Sequence, residues 1–201
     1  MSHLRSPFLW FIIALVTTAA LTAMGPQEKS LGNAVRIVYL HGAWALTAEA
    51  VLGLSAAAGL AGILLRREWL QHWSAALGYT GLFFWVTYLP LSLWAMQANW
   101  NGLFLSEPRF RVAVIFSVTG VLLQLGLTLL ARPLYTSLFN VLFFIALRIG
   151  LSRANYVLHP PPSPIFNSGN LSLELFFIGI ILLTMSAAYF MTRWWLQRRN
   201  R

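Results

Sequence analysis

"IVYLHGAWALTAEAVLGLSAAAGLAGILL", residues 37–65, is the stretch on which the fold class turns. It is an apolar run longer than the roughly 20 residues a helix needs to cross a bilayer. It lacks the alternating pattern of a barrel strand. Backbone groups in lipid must find their partners within the segment, so the run is read as a transmembrane helix. His41 near its start and Glu49, about two turns further in, interrupt the apolar pattern. A carboxylate is costly at that depth, which marks the helix for closer attention. Arg36 stands just outside the run.

Five further apolar runs lie near residues 7–25, 74–97, 111–131, 134–157 and 171–192. The chain has 201 residues, of which 58% are hydrophobic and 9% charged, which excludes an ordinary soluble core. Residues 1–201 therefore read as one all-α domain, a polytopic membrane protein with six transmembrane helices. The first run is longer than the apolar part of a signal peptide, and the small residues near Ala23 make a poor cleavage site, so it is kept as a helix. Pro26, Pro133 and "HPPPSP" at 159–164 fall at the ends of runs, whereas Pro90 is expected to kink the third helix. No internal repeat, soluble domain or long linker is visible.

With no cysteine, disulfides and thiolate chemistry are ruled out. Aspartate is absent too, and the acids are Glu28, Glu49, Glu68, Glu107 and Glu174, too few for much paired-carboxylate chemistry. The formal net charge of +9 lies mostly in short loops and tails, so it speaks for membrane orientation and against a nucleic-acid partner. With both termini in the cytoplasm, Arg5, Arg66, Arg67, Arg132, Arg193, Arg198, Arg199 and Arg201 face inward. Lys29, Arg36, Arg109, Arg111, Arg148 and Arg153 lie outward. Eight against six is a weak bias, and an anionic ligand at the outer face would account for the outer cations.

This topology collects His41 and Arg36, the segment from Trp100 to Arg111, and His159 on the outer face, and it puts His3 and His72 on the other side. Two histidines from different helices can ligate heme iron from opposite faces. The macrocycle would need aromatic walls, for which Trp44, Trp94, Trp100, Phe104 and Tyr156 are candidates. Its propionates would need cations, for which Arg36, Arg109, Arg111 and Arg153 are available. The plainer reading of a histidine at a membrane interface is an anchor.

Three stretches carry a family resemblance. "VRIVYLHGAWA", residues 35–45, resembles the start of helix 2 in CcmC-type proteins of the cytochrome c maturation machinery, where an arginine precedes the histidine by five residues and a small residue and Ala-Trp follow. "WNGLFLSEPR", residues 100–109, is similar to that family's tryptophan-rich loop, approximately W-G-T-W-W-V-W-D-P/A-R. "RANYVLHPPPS", residues 153–163, resembles its second histidine region, W-W-x-T-L-H-Q. The order of the three also agrees with the family's, and the resemblance covers most of the chain.

The resemblance implies His41 and His159 as axial ligands of a non-covalent, b-type heme. It implies Trp100 and Phe104, with Trp44, as a heme-facing wall, and Arg36 and Arg109 as propionate partners. It further implies a protein that is not an enzyme. Such a protein holds heme at the outer face of a prokaryotic cytoplasmic membrane and passes it to a heme chaperone, alongside other membrane subunits including an ATP-binding cassette transporter. The chain departs from the pattern at Leu103, Phe104 and Ser106, which thin the aromatic platform, and at Pro160, which replaces the glutamine after His159. A reading from another class is a non-catalytic subunit that keeps the fold as a scaffold in a larger redox or transport complex.

Glu49 reads either as a functional carboxylate or as a protonated or paired residue, held by Thr47 or a partner subunit. Arg148 either reaches outward to the interface or pairs with a buried acid. Glu174 reads as a helix N-terminal acid. Ser55 and Gly59 have small-xxx-small spacing, suited to close packing within the bundle or between subunits. "RWWLQRRNR", residues 193–201, reads as an interfacial anchor.

Overall fold

The computed structural model describes residues 6–155, 165–166 and 168–199. It contains six helices: α1 (Pro7–Ala23), α2 (Val35–Leu64), α3 (Glu68–Trp100), α4 (Pro108–Leu130), α5 (Pro133–Ser152) and α6 (Leu171–Arg199). Among the described residues there is no strand, and the nearest thing to one is an isolated bridge between Glu28 and Gly32. Five helices, α2 to α6, are long and apolar enough to cross a membrane. At 17 residues α1 is shorter, about 25 Å at 1.5 Å per residue against a hydrocarbon core of about 30 Å. It lies against α6, where Phe8 meets Trp194 at 5.2 Å and Trp10 meets Phe190 at 6.1 Å.

Helix ends differ from the apolar runs because capping, not hydropathy, sets them. α3 begins at Glu68, six residues before the apolar run that starts at 74, and α6 continues to Arg199, past 192. The fifth helix stops at Ser152, short of the expected 157. Prolines open α1, α4 and α5, where the missing N–H costs nothing. Pro90 sits inside α3, which stays helical through it. The α2–α3 turn is tight: Arg66 takes φ 52° and Arg67 N donates to Gly62 O at 3.0 Å.

The centre of the bundle is the α2–α3 hairpin. In lipid, helices associate through close van der Waals packing and interhelical hydrogen bonds, and small residues permit both. The buried face of α2 carries Ala43, Ala48, Ser55, Ala56, Gly59 and Gly62. Larger buried side chains, among them Phe84, Trp85 and Leu147, fill the space between α2, α3 and α5. Buried polar groups stitch the helices. Thr47 shares a hydrogen bond of 2.7 Å with Thr184, and Thr192 donates to Thr80 at 3.0 Å, joining α6 to α2 and α3. Deeper in, Ser55 donates to Ser74 O at 2.7 Å, Asn140 to Ser74 O at 3.1 Å, and Gln124 to Asn140 Oδ1 at 2.7 Å, linking α2, α3, α5 and α4 in turn.

Candidate functional site

The site is built at the end of the bundle that carries the α1–α2 and α3–α4 loops. The α1–α2 loop is fastened to the first turns of α2: Arg36 Nε donates to Gly25 O at 3.0 Å and the Tyr39 hydroxyl to Pro26 O at 3.1 Å. Within it, the Ser30 hydroxyl foremost, then the amides of Leu31 and Ser30, donate to the Glu28 carboxylate and hold it below the usual carboxylate range. The loop is therefore folded against the helix and not a free tether, and Asn99 near the end of α3 adds a contact to Ala34 O at 3.5 Å.

His41, one turn beyond Ile37 on α2, stacks on Tyr88 of α3 with ring centroids 4.9 Å apart and planes 27° apart. Tyr88 stacks in turn on Trp85 at 5.7 Å, and the buried Trp85 indole donates to Ala113 O of α4 at 3.2 Å. This three-ring stack runs from the half-buried imidazole into the core, so the histidine is held by aromatic packing at a defined place.

Charged groups gather beside the stack. Glu49 of α2 forms an ion pair with Arg148 of α5, with the side chains 29% and 53% exposed respectively. Arg109, in the first turn of α4, lies near enough for its charge to act on both Glu49 and Tyr88. Its Nε is buried and has no acceptor among the described residues. A guanidinium is always charged, so a buried donor of this kind is costly unless something negative meets it. The Glu107 and Glu49 carboxylates and the Arg109 guanidinium thus act on Tyr88 from α2 and the start of α4, and with Arg148 of α5 paired to Glu49 the two carboxylates and two guanidinium groups balance in charge.

Of the residues singled out by sequence, His41 stacks on Tyr88 and Arg109 lies within electrostatic reach of it. Trp44 lies lower on α2, its indole donating to Thr87 Oγ1 at 2.8 Å and its ring 4.9 Å from Phe84. Trp100 closes α3 instead of starting a long loop, and Arg109 and Arg111 belong to α4, which leaves 101–107 as the connection. Glu107 caps α4 by accepting from Phe110 N, and with Pro108 it makes a start signal that the sequence does show. Trp100, at the end of α3, and Phe104, in the α3–α4 connection, are 40% and 39% exposed. Arg36 spends its Nε on the α1–α2 loop. His159, the second expected ligand, and Tyr156 lie outside the described residues. Tyr88 was not singled out; for Arg148, pairing with a buried acid was one of two readings, and the fold supplies Glu49 as that acid. The signal for Tyr88 was its spacing from Trp85 on α3.

Among the described residues no group of three or more His and Glu side chains could hold a metal ion on its own. Heme makes a different demand, since its ring supplies four nitrogens and leaves only axial positions to the protein. His41, an imidazole, and the half-buried Arg109, whose Nε is buried without an acceptor among the described residues, are the side chains here whose chemistry would suit an axial ligand and a carboxylate partner. Models of protein families, curated proteins and solved structures were compared with this chain, and none matches.

Proposed function

We propose that this chain is a heme-binding membrane protein of the CcmC type, acting in cytochrome c maturation. His41 and His159 serve as axial ligands and Arg109 as the principal propionate partner. The observation that carries the reading is the Arg109 Nε, buried beside the His41–Tyr88 stack with no acceptor among the described residues. A propionate oxygen would answer that donor. Arg36 fixes the loop next to His41 and adds positive charge, while Trp100 and Phe104 offer aromatic surface at the rim. Bound heme would be b-type and non-covalent, since the chain has no cysteine for thioether attachment. The protein acts by holding and passing heme without turnover. It sits in a prokaryotic cytoplasmic membrane with the site outward, and works with a heme chaperone, an ATP-binding cassette transporter and other membrane subunits.

The half-exposed Glu49–Arg148 pair favours a second reading, a non-catalytic scaffold subunit whose lateral face meets another membrane helix. The two readings part on a spectrum. Purified protein that binds heme through two histidines should show sharp reduced bands, which weaken or shift in His41→Ala and His159→Ala, vanish in the double variant and persist in His72→Ala. Arg109→Ala should loosen heme roughly 10- to 100-fold, the worth of one charge-assisted contact of about 1.5–3 kcal/mol. Equal heme content in wild type and the double histidine variant would end the heme reading, as would normal cytochrome c maturation in cells lacking the chain.

A further inference from the structure

At the opposite end of the bundle, a cleft of about 330 Å³ opens between α3, the α4–α5 turn and the end of α6. His72, Arg132 and Arg198 line it together with Tyr79, Thr128 and Trp195, and among the described residues its lining contains no carboxylate. Glu68 is one turn earlier on α3 and is not part of the lining.

We infer that this cleft binds the phosphate headgroup of an anionic phospholipid. The exposed Arg132 and Arg198 guanidinium groups and the His72 imidazole line one cavity from separate helices and turns, so an anion seated in it would meet two cations at once. Arg132 is the N-cap residue of α5, so the positive end of that helix adds to the field. Arg198 is steadied over the Trp194 ring at 4.4 Å, which fixes a cation at the mouth.

The second observation is independent of charge. The Trp195 Nε1 is buried and has no acceptor among the described residues, although the ring is packed 5.3 Å from Tyr79. An indole N–H can only donate, so it calls for an oxygen acceptor, which a phosphate supplies. No hydrogen bond joins it to the Tyr79 hydroxyl, which is turned to Thr128. The Thr128 hydroxyl donates to Gln124 O at 2.7 Å, so its 3.0 Å contact with Tyr79 takes the phenol proton.

Position selects a lipid over a soluble anion. The cleft lies at the ends of membrane-length helices, has aromatic groups where interfacial tryptophan and tyrosine gather, and is apolar below its charged rim at Ala76 and Leu127. Basic pockets between transmembrane helices on such a face suit acidic headgroups.

The test uses the full chain in nanodiscs of phosphatidylcholine containing a minority of phosphatidylglycerol, with lipid retained through gentle extraction counted by native mass spectrometry. Wild type should retain phosphatidylglycerol in preference to phosphatidylcholine. Arg132→Gln and Arg198→Gln should each lower that preference about tenfold. Arg66→Gln/Arg67→Gln, which removes twice the charge of either from the same end but outside the cleft, should keep it. Helix content by circular dichroism confirms that each variant is folded, and His72→Gln is a milder second variant. Inorganic phosphate added to wild type separates the sources: unchanged lipid retention assigns the site to the lipid, and displacement at low concentration assigns it to free phosphate, which overturns the lipid as occupant. Absence of any preference in wild type, or equal loss in the Arg66/Arg67 control, would also overturn the proposal.

Discussion

Glu49 sits inside an apolar helix with no residue of opposite charge nearby in sequence, and Arg148 is 99 positions away. Each alone is an expensive side chain in a membrane, and together they neutralise one another across α2 and α5. The pair is partly exposed, so it is weaker than a fully enclosed one, but its partners have little water to fall back on. Glu49→Gln should leave the Arg148 charge unmatched and lower stability by on the order of 2–3 kcal/mol. Adding Arg148→Leu to that variant should restore most of the loss. Unfolding in mixed detergent would measure both, and a double variant as unstable as the single one would show that the pair is not what matters. Arg36 gives the converse lesson. Its spacing from His41 suggested a ligand partner, but the fold directs its Nε to the carbonyl of Gly25, which no spacing rule along α2 could reveal.

At the scale of elements, α2 is held by what it lacks. A Cβ added at Gly59 would lie 2.9 Å from Ser137 O and 2.8 Å from Ser74 Oγ. The serine side chain can turn, but the α5 backbone cannot move without shifting its helix. Helix propensity favours alanine over glycine by about 1 kcal/mol, yet overpacking against backbone should win here. Gly59→Ala should therefore destabilise the protein by roughly 1–3 kcal/mol net. A thermal melt in detergent would check this, and an unchanged or raised midpoint would count against the close approach. The small-residue motif at Ser55 and Gly59 thus serves packing inside the bundle, against α3 and α5, and is not left over for another subunit. The same holds for Asn140 and Gln124, polar residues in apolar runs whose partners are each other and Ser74.

For the whole molecule, ring contacts between Phe8 and Trp194 and between Tyr79 and Trp195 put the start of α1, the start of α3 and the end of α6 at one end of the bundle. The α3–α4 and α1–α2 loops share the other end, as the Asn99 contact with Ala34 requires. The proposed function needs that second end to face outward. The chain has no cysteine, so introduced thiols report without background. Ser30→Cys and Leu103→Cys should react with an impermeant thiol reagent applied to intact cells, and Arg67→Cys only after permeabilisation. Labelling of Ser30→Cys and Leu103→Cys from different sides would break the six-helix arrangement, and labelling of both only from inside would reverse the proposed orientation.

Hydropathy along the chain was enough to establish helices, their number and their order, because in lipid the backbone must pair with itself and long apolar runs have no other stable form. The same signal could not fix helix ends, which follow from caps such as Glu107 and prolines such as Pro133. Nor could it say which of the intramembrane polar residues would meet. The pairing of Glu49 with Arg148, the stacking of His41 on Tyr88 and the burial of the Arg109 Nε without an acceptor among the described residues depend on how four helices turn about their own axes. Those rotations are set by small side chains and shape complementarity across helices far apart in sequence, and only the assembled tertiary structure expresses them.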